Sequence, residues 1–196
     1  MTPDAERIRK VLLPVELAES ELRAKPAAAV VVLLRPMAQG LETLLAKRVR
    51  RPADPWSGQI SLPGGRQHEG DGNLLATAFR ETREEVNLDL AGSAQILGHL
   101  APRSPGNVPD LLVVPFVALT DGAVEPSPGP EMEEVFWTPL SELPPTASRT
   151  IVATRIGDLH VPAFLWKDRV IWGFTYRVLD ELLTLLGVSR PAGMGP

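Results

Sequence analysis

Eight consecutive apolar residues, Ala27 to Leu34, constrain this chain more than any other stretch. The run is rich in β-branched residues and has no polar alternation, so it reads as a strand buried on both faces of a sheet. It is far shorter than the ~18–20 apolar residues that cross a bilayer. Upstream, Lys25-Pro26 breaks any helix, because the residue before a proline is pushed out of helical geometry. Downstream, Arg35-Pro36 and Gly40 carry turn chemistry and Leu41 to Arg50 follows as a partner strand, which predicts a hairpin. With 196 residues, 44% of them hydrophobic and 22% charged, the chain can bury one core and is expected to form one domain with a terminal extension.

Further strands are expected at Ala94–Leu100, Leu111–Leu119 and Val135–Thr138, with a proline-rich surface loop at Glu125–Pro130 between the last two. Pro52 to Gly65 reads as a loop. Asn73 to Val86 is the clearest helix, with Asp71 or Asn73 as its cap. Pro139 to Leu143 suggests a short helical turn, and His160–Leu165 with Val170–Ile171 a closing hairpin. Thr175 to Leu186 reads as an amphipathic helix ended by Gly187, with Tyr176 and Arg177 on its surface and Trp137 and Trp166 in the core. The organisation is an N-terminal helical extension over 1–25, a main domain over 26–188 and a disordered tail over 189–196. Strands mixed with separated helices predict an α+β fold or a layered α/β/α sandwich.

Composition narrows the function classes. A net charge of −4 argues against nucleic-acid binding through bulk electrostatics. The absence of cysteine removes disulfide scaffolds, thiolate nucleophiles, iron–sulfur clusters and cysteine zinc sites. The three histidines, His68, His99 and His160, are scattered, and His68 reads as a solvated loop residue, so carboxylates must hold any metal. The opening Met1-Thr2-Pro3-Asp4-Ala5-Glu6 lacks the basic start and apolar stretch of a signal peptide. A cytoplasmic protein is expected, with no membrane or nucleic-acid partner and a homodimer as one allowed assembly.

The Asn73–Val86 helix carries the chemistry. Leu75, Phe79, Thr82 and Val86 fall on one side as an anchoring stripe, and Glu81, Glu84 and Glu85 share another face. Three carboxylates so crowded cost an isolated helix ~0.2–0.5 kcal/mol per like-charge pair. A solvated helix face tolerates that cost; a hard divalent cation uses it, because Mg²⁺ and Mn²⁺ take clustered oxygen ligands. The second reading gains from the segment before the helix. Leu62-Pro63-Gly64-Gly65-Arg66 places two glycines where the chain can turn tightly and bring its backbone against a metal or a phosphate.

These residues resemble the signature of the Nudix hydrolase family. Gly65 is followed by Asp71 in the family's glutamate position, then by Arg80-Glu81-Thr82-Arg83-Glu84-Glu85-Val86-Asn87-Leu88. The central Arg-Glu-x-x-Glu-Glu is intact. Asp71 replaces a glutamate, one extra residue precedes Arg80, Thr82 replaces an aliphatic residue and Asn87 replaces a glycine. Asn87 is a mild change, since asparagine tolerates the left-handed conformation that ends a helix. The resemblance implies a mixed β-sheet between helices, the metal-dependent hydrolysis of a nucleoside diphosphate derivative, and Mg²⁺ or Mn²⁺ as cofactor. By position it implies Glu81 and Glu85 as main metal ligands, Glu84 as a supporting ligand or holder of metal-bound water, and a backbone carbonyl from Gly65. It implies that Arg80 orients the glutamates by charge-assisted hydrogen bonds. The catalytic base stays open among Glu84, Glu81, Glu131, Glu133 and Glu134.

The extra residue is similar to the coenzyme A pyrophosphatase branch, as are Leu44-Leu45-Ala46-Lys47-Arg48, Gly58-Gln59-Ile60-Ser61-Leu62-Pro63-Gly64-Gly65 and Ile171-Trp172-Gly173-Phe174-Thr175. Leu62 stands for that branch's phenylalanine and Asp54 for its second arginine, and Arg50 or Arg51 is available to supply the charge. The resemblance implies coenzyme A or acyl-CoA as substrate. The substrate-binding candidates are Arg48, Arg50, Arg51, Trp56, Gly64, Arg103 and Trp172. ADP-ribose or nucleotide-sugar hydrolysis, nucleoside triphosphate clean-up and a silent nucleotide-binding module are the competing readings.

Overall fold

The computed structural model describes residues 3–18, 27–51, 56–106, 108–121, 123–155 and 157–188. The expected break at Lys25-Pro26, Asp54 and the tail over 189–196 lie outside them. The apolar run becomes β1 (Ala27–Met37), and β2 (Gly40–Arg48) closes the predicted hairpin. β3 (Ile60–Ser61), β4 (Gly64–Arg66), β5 (Ala94–His99), β6 (Leu112–Thr120) and β7 (Met132–Pro139) complete a mixed sheet. Its central path runs β3-β2-β1-β6-β5, with β4 also pairing β1 and β7 also pairing β2. β1 lies parallel to β6 and antiparallel to β2 and β4.

Alternation along β1 explains the unbroken apolar run. Ala29, Val31 and Leu33 enter a core with Leu74, Ala78 and Val86 of α2 (Leu74–Val86). Val32 and Leu34 enter a second core on the opposite face, with Val178, Leu179 and Leu182 of α4 (Gly173–Leu185). α1 (Pro3–Arg9) adds buried Ala5 and Ile8 to that second core, and the short α3 (Leu90–Ser93) leads into β5. The layered α+β arrangement is therefore the one expected, a mixed sheet between helices. Among the described residues, no helix is long and apolar enough to cross a membrane.

Several expectations need correction. The loop read over Pro52–Gly65 contains β3 and the start of β4, whose pairing is set by β2 and β1 and is masked in the sequence by glycine and proline. Ala147–Thr154, which carried no predicted element, is β8; with β9 (Gly157–Trp166) and β10 (Arg169–Trp172) it forms a separate three-stranded antiparallel sheet beside α4. The anchoring stripe of α2 is rotated, because Leu74 and Ala78 are buried while Leu75 and Phe79 are half-buried. Tyr176 is buried against Phe164 rather than on the helix surface, because α4 packs on β9 as well as on the central sheet. Trp166 is in the core as expected, with its Nε1 donating to Glu142 at 2.6 Å. Trp137 is half-buried, under the Arg35 guanidinium.

Candidate functional site

Both ends of α2 are pinned. Asn73 caps the start by accepting from Ala76 N at 2.8 Å. Asn87 closes the end at φ 54°, its N–H donating to Arg83 O and its carboxamide to Ser127 and Pro128. Thr82, the residue in the aliphatic position, is fully buried and returns its hydroxyl to Ala78 O at 2.7 Å. The helix therefore presents its carboxylates in one register to β4.

Arg80 is the hub of the solvent side. Its Nε and Nη2 donate to the two oxygens of Asp71, each at 2.9 Å. Nη1 reaches Glu81 at 2.9 Å and Glu84 at 3.2 Å, and Nη2 also donates to Arg66 O. Asp71 further accepts from His68 N and Thr77 Oγ1. The Arg80 guanidinium holds the Asp71 carboxyl well below the usual carboxylate range.

Glu85 is the corrected member of the trio. The three glutamates expected on one face differ in burial: Glu84 is exposed, Glu81 half-buried and Glu85 only 4% exposed. Glu85 Oε1 accepts from Arg48 Nη1 at 2.9 Å, and Oε2 accepts from Gly64 N at 3.0 Å. Burial pushes its pKa up to about 7 against those two donors, and Glu81 adds to the rise. Burial also raises Glu81, opposed by Arg80, while Glu84 pushes in the same direction as burial. Gly64, at φ +147°, and Gly65 let β4 pass this close: a Cβ on Gly65 would stand 2.5 Å from the Glu81 carboxylate.

Arg48, expected to bind substrate, is engaged by carboxylates on both sides. The β2–β7 register shifts at Lys47/Arg48, and the Arg48 guanidinium sits between Glu85 and Glu131, with Nη2 to Glu131 Oε2 at 2.9 Å. Of the downstream carboxylates, Glu131 joins the cluster in this way, whereas Glu133 pairs with Lys47 and Glu134 with Arg169. Arg51 donates to Pro130 O and lies 3.7 Å from Glu131. Arg50 and Arg51 are exposed and line an open cavity with Ser57 and Arg155, two residues that the sequence reading missed. No spacing signal links Arg155 to Arg50, because they meet only across the fold. Trp56 is half-buried at the turn before β3. Trp172 is half-buried at the start of α4. Arg103 is tied to α4 through Glu181 and Arg177 O.

The expected convergence of three carboxylates on a metal is not met. Among the described residues, no three acidic or histidine side chains come together closely enough to hold an ion. Arg80 holds Glu81 and Glu84, and Arg48 draws on Glu85, so guanidiniums supply the positive charge. The donor set still suits a hard divalent cation: all its atoms are oxygens, and buried Glu85 and half-buried Glu81 are desolvated at an electrostatic cost that a cation would relieve.

The family model for the Nudix domain matches residues 24–155. The chain belongs to the Nudix family. It is a Nudix hydrolase, a pyrophosphohydrolase acting on small nucleotide substrates. It is 32% identical to the human mitochondrial coenzyme A diphosphatase NUDT8, over 89% of this chain and 76% of that protein. It is 33% identical to the uncharacterized Nudix hydrolase NudL of Photorhabdus laumondii, over 77% of this chain and 81% of that protein. Its fold matches the Nudix hydrolase RenU of M. smegmatis at a TM-score of 0.50 and 20% identity, over 60% of this chain and 73% of that one. The Nudix match ends at Arg155, so β9, β10 and α4 lie beyond it.

Proposed function

We propose that this Nudix hydrolase cleaves the pyrophosphate of coenzyme A or acyl-CoA, releasing 3′,5′-ADP and (acyl-)4′-phosphopantetheine. One observation carries the reading. Arg48 from the Leu44–Arg48 motif and the Gly64 amide from the Gly58–Gly65 motif close on the same Glu85 carboxylate. The two motifs that resemble the coenzyme A branch thus form one site, and they sit on adjacent strands, with Ala46 opposite Ser61. The 32% identity to a coenzyme A diphosphatase supports the same substrate.

Divalent cations serve Nudix hydrolases in general. In this chain Glu81 and Glu85 would hold Mg²⁺ or Mn²⁺ by drawing together from the guanidinium-bound positions they occupy in this structure, with Glu84 supporting and Gly65 offering its carbonyl. When bound, the ion screens the pyrophosphate and makes an attacking water more acidic. The chain's own residues do the rest. We assign the water's proton to Glu84 or Glu81, and Arg80, which bonds both, would fix their direction. Arg48 orients Glu85, and Arg50 and Arg51 supply positive charge to the substrate's phosphates.

A Mg²⁺- or Mn²⁺-dependent screen of coenzyme A, ADP-ribose, NADH, diadenosine polyphosphates and nucleoside triphosphates, with products weighed by mass spectrometry, tests the assignment. Coenzyme A should yield 3′,5′-ADP. Intact coenzyme A beside cleaved ADP-ribose or triphosphate would overturn it.

A further inference from the structure

The Arg48 guanidinium spans two carboxylates of opposite exposure. Nη1 donates to Glu85 Oε1 and Nη2 to Glu131 Oε2, both at 2.9 Å. The Glu85 side chain is 6% exposed and that of Glu131 51%, so the buried partner holds the guanidinium strongly and the wet one weakly. Backbone fixes where all three stand. Arg48 ends β2, where the shifted register with β7 sets it opposite Met132, and Val49 N donates to Glu131 O at 3.0 Å. The loop before Glu131 is bonded to the same turn of α2 that carries Glu85: Gly129 N donates to Glu85 O at 2.8 Å, and Ser127 N to Val86 O at 3.0 Å. Gly129 permits that approach, because a Cβ there would collide with Glu84 O. Glu131 is therefore set beside Arg48 by backbone bonds that do not involve the Glu85 carboxylate.

A divalent cation taken by Glu85 would repel a guanidinium bonded to the same carboxylate. Arg48 would then need an anion to move toward, and Glu131 already holds its other nitrogen.

Resting on the reading of Glu85 as a metal ligand above, we propose that Glu131 is a positioning residue that acts through Arg48: it takes up the guanidinium as Glu85 turns to the cation, and so sets how readily Glu85 is released. Without Glu131, the guanidinium would lean on Glu85 and the cation would compete with a less divided ion pair. In this role Glu131 takes no proton from the reaction.

Calorimetric titration of the substrate-free full chain with Mn²⁺ tests this apart from turnover. Glu131→Ala should weaken Mn²⁺ binding about three- to fivefold, the worth of one partly exposed ion pair. Glu131→Gln, whose amide oxygen still accepts from Arg48, should lose less. Removing a negative charge weakens a cation site by itself, so a double-mutant cycle separates the two effects. With Arg48→Gln in place, the further loss from Glu131→Ala should shrink toward none. Arg48→Lys, whose ammonium lacks the fork, gives the same reading if the Arg48→Gln chain does not fold. On whichever nucleotide the substrate screen finds cleaved, Glu131→Ala should raise the Mg²⁺ concentration for half-maximal rate by the same factor and regain wild-type kcat at saturating Mg²⁺. A kcat that stays low at saturation would put Glu131 in the proton transfer and overturn the positioning role, as would an equal Mn²⁺ loss with Arg48 present or replaced. If Glu85→Gln weakens Mn²⁺ binding and Glu131→Ala does not, this inference alone falls. If Glu85→Gln binds Mn²⁺ as wild type does, the ligand assignment falls and takes the inference with it. If coenzyme A is left intact, only the substrate assignment falls, and the Mn²⁺ titrations still decide the role of Glu131.

Discussion

Glu85→Gln probes the site at its most buried carboxylate. The residue is 4% exposed and its carboxylate accepts from Arg48 at 2.9 Å and Gly64 N at 3.0 Å, yet burial lifts its pKa from 4.5 to about 7. A carboxyl group whose folded pKa is raised stabilises the fold fully below its unfolded value, and that contribution disappears as pH rises through the folded value. The window here is pH 4.5 to about 7, and the loss across it is about 3 kcal/mol. Glutamine keeps the shape and one acceptor but turns an amide NH₂ toward one of two donors, at a cost of ~1–3 kcal/mol. Above neutrality this cost and the relief from the buried charge nearly cancel, so the metal-free variant should melt close to wild type at pH 8. At pH 5 the wild-type carboxyl is protonated, no relief is available, and the variant should be clearly less stable. Mg²⁺ at pH 8 should raise the Tm of wild type and leave the variant unmoved. Turnover should fall by more than the about 10–100-fold that a residue merely orienting a metal ligand is worth. Thermal melts with and without Mg²⁺ at both pH values, beside steady-state rates, decide the matter. Wild-type turnover at saturating Mg²⁺, or an equal Mg²⁺-induced rise in Tm, would refute the reasoning.

Asp71→Asn should cost about 2 kcal/mol in urea unfolding at neutral pH, discounted for the partial exposure of Arg80. Because the Asp71 pKa is depressed in the folded protein, its contribution is present above about pH 4 and fades below it, so the gap to wild type should narrow in acid; a gap that is constant down to pH 3 contradicts the pairing. Gly65→Ala would place a Cβ 2.5 Å from the Glu81 carboxylate, so kcat should drop as that carboxylate is displaced, and an unchanged kcat would remove Glu81 from the reaction. Asn87→Ala should destabilise by about 1 kcal/mol more than Asn87→Gly, since both lose the bonds to Ser127 and Pro128 but only alanine is strained at φ 54°. Equal midpoints for these two variants would argue against a left-handed helix end.

Local chemistry was enough for much of this protein. The apolar run announced β1, the Pro-Gly punctuation its hairpin with β2, and the period of Leu75, Phe79, Thr82 and Val86 the helix that holds the glutamates, though its buried face is rotated to Leu74 and Ala78. Those signals lie within one element, where side-chain period and backbone preference act on neighbours in the chain. The asparagine that ends α2 was legible for the same reason. β8 was not, because its residues are half-exposed and mixed in polarity, so its strand state depends on the pairing offered by β9. Nor was the burial of Glu85: helix spacing places it with Glu81 and Glu84, but the packing of β4 and the reach of Arg48 decide that it leaves water. The same holds for Arg155, which meets Arg50 only because the second sheet folds back across more than a hundred residues of chain. Sequence by itself determined most of the elements and the residue types able to grip a metal and a phosphate. Tertiary structure alone decided which charges are desolvated and which arginine answers each, because desolvation and Coulomb energy depend on distance through space and not along the chain.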